Sequence, residues 1–139
     1  MNLMHQNQHL GIGLLPQVLS TTNDVGDYFP MADFREALAV MITGPIAQSE
    51  TAILTILEAE DDGGTNAAPI SGASVTLTGA QGGSASGLAA LDVSGFVLTP
   101  GFAYIACKIE TSDAITAAAV LMRGASRKET AQDCQVVTL

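Results

Sequence analysis

Two histidines, two cysteines and one run of carboxylates are the residues of this chain whose types and spacing could do chemistry. His5 and His9 stand four apart, the spacing that sets two imidazoles on one face of a helix, where they would hold a metal if a third ligand were near. The surrounding stretch, MNLMHQNQHLGIG, is polar, ends in glycines and supplies no such ligand. Both are therefore expected as solvated side chains. A nucleophilic triad needs a base, usually His, within hydrogen-bond reach of Ser, Cys or Thr, and both histidines of the chain lie in this stretch. Cys107 and Cys134 form no C-x-x-C pair. In AYIACKIE, Cys107 alternates with Ile105 and Ile109, which puts the thiol on their face of a strand as a small buried hydrophobe.

The carboxylates Glu58, Glu60, Asp61 and Asp62 precede Gly63-Gly64. They lack the alternating oxygen spacing and the distal bidentate Glu of a calcium loop, so they read as a solvated turn between two strands. A glycosidase would pair two carboxylates across a cleft with aromatic groups to hold the sugar, and this chain has no Trp and two Tyr. GIG and GAQGG lack the Lys and the strand-to-helix setting of a phosphate loop. The expectation is a protein with no catalytic set, no metal and no cofactor.

Bulk properties narrow the remaining classes. Five basic groups against fourteen acidic ones give a formal charge of −9, which repels a phosphate backbone and disfavours nucleic acid as a partner. No apolar run approaches the ~20 residues of a membrane span, and the N-terminus has neither the basic nor the apolar region of a secretory signal. A soluble protein made in the cytoplasm is expected. With 47% hydrophobic and 14% charged residues the chain folds. Its aromatic share is only 4%, so the core must be built of small aliphatic groups that each bury little area. Subunit contacts would add stability to such a core.

The elements that would position these residues are strands. Residues 1–13 read as an arm that packs weakly on its own domain, and residues 14–139 as one domain of short apolar segments separated by turns. SVTLT alternates Val75 and Leu77 against Ser74, Thr76 and Thr78, a strand with one wet face. TAILTIL carries apolar groups on both faces and is expected in the middle of a sheet. AYIACKIE, AITAAAVLMRG and CQVVTL complete the set, although the Ala-rich member is also a helix by propensity. GAQGGSASG is expected as an exposed tip. In YFPMADFREALAVMITGP, Asp33 and Glu36 form a variant capping box, while Leu38, Val40 and Ile42 alternate with Ala37, Ala39 and Met41. The reading is one capped turn at 33–36, then a strand from Ala37 through Thr43 stopped by Gly44-Pro45.

Contact residues can be nominated from the same pattern. Tyr28, Phe29, Met31 and Phe34 are the densest group of large apolar side chains. They would close one end of the core, with Tyr28 and Phe29 candidates for a subunit interface. Arg35 would pair with a carboxylate of this or a neighbouring subunit. Arg123, Arg127 and Lys128 would meet an acidic partner surface, and Leu3, Met4 and Leu10 would make the contacts of the arm.

The order of YFPMADFREALAVMITGPI, TAILTILEAEDDGGTNAAPISGASVTL, GFAYIACKIET and AAAVLMRGASR resembles the small β-sandwich virion proteins encoded among the head genes of tailed bacteriophages. That resemblance implies an all-β, single-domain antiparallel sandwich, jelly-roll-like, with an extended N-terminal arm. It further implies a capsid decoration or cement protein on the outer surface of the virion, bound to the major capsid protein as a homo-oligomer, with a trimer favoured. Neck, tail and fibre components share such sandwiches, and a carbohydrate-binding module is the reading from another class.

Overall fold

A computed structural model describes residues 8–20, 23–80 and 85–124 of the chain. Alternation of apolar and small or polar residues at a period of two runs through most of them, and the described residues form nine strands and no α-helix. The strands are β1 (Gln8–Leu19), β2 (Asn23–Val25), β3 (Phe29–Pro30), β4 (Glu36–Ile46), β5 (Thr51–Ala59), β6 (Ala68–Thr78), β7 (Ala85–Ser94), β8 (Tyr104–Thr111) and β9 (Ile115–Gly124).

One sheet, A, has the order β1-β9-β4-β7; the other, B, has the order β2-β8-β5-β6, with β3 also on β8. All pairings between these strands are antiparallel. β2 and β3 lie along one side of β8, at Lys108–Glu110 and Tyr104–Ile105. Between them Gly26 N donates to Cys107 O at 2.9 Å, so the two act as one interrupted strand. Gly26 is needed there because a Cβ would fall 1.6 Å from the Gly13 carbonyl oxygen. Counted this way, each sheet is four strands wide and the chain passes between the sheets in the double Greek-key order of a jelly roll. The expected all-β sandwich of jelly-roll type is the observed fold.

The sheets face each other across Leu54, Ile56, Ile105, Cys107 and Ile109 of B and Ala37, Ala39, Met41, Ala117, Ala119 and Leu121 of A, all buried. AITAAAVLMRG is strand β9 and not helix: in that conformation its alternate residues Ile115, Ala117, Ala119 and Leu121 enter the core. β5 lies between β8 and β6, and from Leu54 onward every residue is buried, as expected of a central strand. β6 exposes Ser74, Thr76 and Thr78 and half-buries Val75 and Leu77.

Three expectations need correction. Residues 8–13 are not an arm: Gln8 to Ile12 pair with Gly124 to Val120, and Gly11 and Gly13 point inward, where their missing side chains let the strand lie close to Phe29 and Cys107. Residues 1–7 lie outside the described residues. Gly44-Pro45 does not stop β4, which runs to Ile46 through a register shift between Ile42 and Pro45; such a bulge accommodates a residue that cannot donate to the ladder. Asp33–Glu36 does not form a capped helical turn either. Phe34 N donates to Met31 O at 3.0 Å in a tight turn, and Glu36 already belongs to β4. Of the GAQGGSASG stretch, Gly79 N donates to Glu50 O at 2.9 Å and Ala85–Gly87 belong to β7, while residues 81–84 and the CQVVTL segment fall outside the described residues.

Candidate functional site

The residues nominated for chemistry have structural employment. His9 is buried, a register partner of Arg123 across β1 and β9, with its Nδ1 against an Arg123 guanidinium nitrogen and its ring 6.0 Å from that of Phe34. It is not a solvated arm residue, because β1 places position 9 on the inward side with Gly11 and Gly13. His5 lies outside the described residues. Cys107 is fully buried, and burial pushes its thiol up to about 12. Asp61 is exposed and organises its turn, accepting from Gly63 N and Thr65 N, both at 3.0 Å, and from the Thr65 hydroxyl at 2.6 Å. These bonds hold its carboxyl below the usual value. Glu58 is buried and accepts from Thr99 N at 2.8 Å, tying the TPG turn to the sheet.

The nominated contacts separate into three groups. Arg123 is corrected outright: it is 3% exposed, because the alternation that buries Ala119 and Leu121 carries it inward too. Its guanidinium carbon lies 5.0 Å and 4.7 Å from the ring centroids of Phe29 and Phe34, a cation–π sandwich, and Nη1 donates to Pro30 O at 2.9 Å. Met31 and Phe34 belong to the core, and Phe29 packs against it. Tyr28 is half-buried beside Gly64, and partial burial raises its phenol. Arg35 is exposed; its N donates to Gly124 O and its carbonyl accepts from Gly95 N. Leu10 is half-buried on the outside of β1. Leu3, Met4, Arg127 and Lys128 lie outside the described residues.

The surface the sequence reading passed over is the outside of sheet A. Register sets three rows across its strands: Leu10, Met122, Leu38 and Asp92; then Ile12, Val120, Val40 and Ala90; then Ala118, Ile42 and Leu88. Ile12, Ile42, Leu88 and Val120 are 57%, 53%, 69% and 38% exposed. Leu15 and Val18 of β1 extend the patch, Val18 opposite Thr116. Within β4 the outward residues Leu38, Val40 and Ile42 are larger than the inward Ala37 and Ala39. In β1 the contrast is Leu10 and Ile12 against Gly11 and Gly13. Over these stretches the outside is as aliphatic as the inside, where Met41, Ile115 and Leu121 supply the larger groups. Isolated exposed hydrophobes are normal, whereas a contiguous apolar face of this kind marks an interaction surface. The outer side of sheet B contrasts with it, bearing the Lys108–Glu110 ion pair at 3.2 Å and a Thr55–Ser74 hydroxyl contact at 3.3 Å.

Two further features border this face. Its charges, Glu36 and Asp92, sit at the end where Gln8, Gly124, Glu36 and Ser94 share one row. The chain therefore enters β1 and leaves β9 at adjoining strand ends. At the same end the 3-10 turn Gly95–Val97 exposes Phe96 (87%) and Val97 (55%) next to Arg35.

A scan against protein-family models and a search of curated proteins each return no match. Solved structures do match. The structure of infectious bursal disease virus, Gx strain, is similar at 13% identity and a TM-score of 0.56, covering 86% of this chain and 32% of that one. The VP2 subviral particle of infectious bursal disease virus gives 12%, 0.57, 86% and 32%. The PBSX exported protein XepA gives 12%, 0.56, 94% and 42%. The likeness is one of fold. This chain spans about a third of the length of these two viral chains and 42% of XepA.

Proposed function

We propose that the chain is a structural protein of a viral particle, of the capsid decoration or cement type, which binds the outside of a phage head and braces the shell by bridging neighbouring major capsid subunits. The observation that carries this reading is the outer face of sheet A. A sheet that turns Leu, Ile, Val and Met outward over all four strands gains stability when that face is covered by protein, and the acidic remainder of the molecule keeps the free protein soluble. The work of such a protein is burial of surface, not bond making. The jelly-roll fold, shared with the virus-particle chains above, supports the reading, as does the exposed cluster of Phe96, Val97 and Arg35, whose composition suits an interface. That end, where residues 1–7 and 125–139 join the sandwich, is proposed as the contact with the major capsid protein, with Leu3, Met4, Arg127 and Lys128 among its members.

Copy number in purified particles tests this. Decoration requires the protein at hundreds of copies per particle, and its removal lowers the temperature at which the shell opens. About a dozen copies places it in a neck or tail ring instead, and its absence from particles contradicts the proposal.

A further inference from the structure

We infer that the outer face of sheet A is covered by the same face of a second copy of this chain, in a two-fold pair whose stacked strands run antiparallel. The inference rests on the reading that this face is buried in the assembled protein, and is independent of where in a particle the assembly sits.

Size is the first argument. With about 4.8 Å between strands and about 3.4 Å per residue, four strands and the rows from Val18 to Met122 give a projected face of about 500 Å². The corrugated accessible area is larger still, the scale of one side of a standard interface of ~800 Å² per partner. An identical face matches it in width, length and flatness, as when two sheets stack about 10 Å apart.

Charge placement is the second argument, and it fixes the orientation. The middle row, Ile12, Val120, Val40 and Ala90, and the row of Ala118, Ile42 and Leu88 carry no charge, while Glu36 and Asp92 lie at one end. A two-fold axis running along the strands would stack the acidic ends of both copies on each other. An axis along the middle row, across the strands, sets each acidic end over the neutral end of the other copy. In that arrangement each strand lies over its own counterpart. Val120 meets Val120 and Val40 meets Val40 near the axis. Met122 lies over Ala118, a large side chain above a small one, Leu38 lies over Ile42, and Asp92 lies over Leu88. A face that packs on its own copy closes with two-fold symmetry, so the pair, and not the trimer implied by resemblance, is the first unit of assembly.

The full chain carrying Cys134→Ser is the protein to test, by sedimentation over a concentration series and by oxidative cross-linking. The parent is expected to dimerise reversibly. Val120→Cys is expected to form a disulfide-linked dimer on mild oxidation, whereas Val25→Cys, on β2 of sheet B, stays monomeric on denaturing gels. Leu88→Asp sets like charges together and weakens the dimer by about tenfold or more; Leu88→Lys, facing Asp92, leaves it equal or tighter. Position 88 is exposed, so circular dichroism should show both variants folded. A parent that stays monomeric at about 100 µM overturns the inference. So does a dimer that neither cross-links at 120 nor senses the sign of charge at 88, or a chain that dimerises only after residues 125–139 are removed, which would make that segment the occupant. A monomer found at high copy number in particles would sink the pair and leave the virion role standing. A dimer absent from particles would do the reverse.

Discussion

Val40 and Val120 stand opposite each other on β4 and β9, and both point away from the core. Their inward neighbours Ala39 and Ala119 carry only methyl groups. A sheet built this way is stabilised on one side by its own sandwich and keeps an apolar face for another surface. Polar replacements on that side should therefore separate folding from assembly. Ile42→Thr and Leu88→Thr are each expected to change unfolding free energy by no more than about 0.5 kcal/mol, because both sites are exposed. Binding of an environment-sensitive hydrophobic dye and self-association should both fall. Denaturant melts alongside dye titration check the pair of effects.

Arg123 makes the opposite prediction from a surface arginine. Its flat guanidinium lies between Phe29 and Phe34 and donates to Pro30 O, a geometry that an ammonium cannot reproduce. Arg123→Lys is expected to destabilise the fold by about 1–3 kcal/mol, measurable as a lower denaturant midpoint. An unchanged midpoint would return Arg123 to the surface role first assigned to it.

Cys107 and Gly13 are coupled. A Cβ on Gly13 would sit 2.8 Å from Cys107 Sγ, so Gly13→Ala is expected to destabilise. Cys107→Ala removes that sulfur and should recover part of the loss, giving a coupling of about 0.5–3 kcal/mol in a double-mutant cycle. With Cys134→Ser as background, the buried thiol, its pKa pushed up to about 12, should resist alkylation at neutral pH until the protein is unfolded.

Asp61 supplies a pH signature. Its hydrogen bonds to Thr65 and Gly63 lower the folded carboxyl below its ordinary 3.8. The stability this brings is full above that ordinary value and is lost as pH falls through the lowered one. Asp61→Asn should melt below the parent at neutral pH, and the gap should close progressively as pH falls below 3.8. A gap that does not change with pH would mean that the ionised carboxylate is not what holds the turn.

Much of the fold was legible because period two survives in the strands. SVTLT, TAILTIL and AYIACKIE each gave the correct element, and Cys107 took the face shared with Ile105 and Ile109. The same arithmetic reached Arg123 from Leu121, but chemical habit assigned a lone arginine to the surface, and only the partners Phe29, Phe34 and Pro30, about ninety residues away, make its burial sustainable. His9 was missed because glycines at 11 and 13 resemble a linker, while in the fold they allow β1 to approach Phe29 and Cys107. The outward apolar face was hidden for a related reason. Alternation shows that Leu38, Val40 and Ile42 share a side, and the larger residues are ordinarily assigned inward; here Ala37 and Ala39 face inward beside Met41, and Leu38, Val40 and Ile42 remain outside. The register of four separate strands was needed to join them into one surface.

The central claim is that this face is buried against protein inside a viral particle. Electron cryomicroscopy of particles purified from the source that encodes the chain tests it most directly. The account predicts the sandwich on the shell in many symmetric copies, with Ile42, Leu88 and Val120 covered by protein. Density showing those three side chains facing solvent in the particle, or particles without the sandwich, would contradict it.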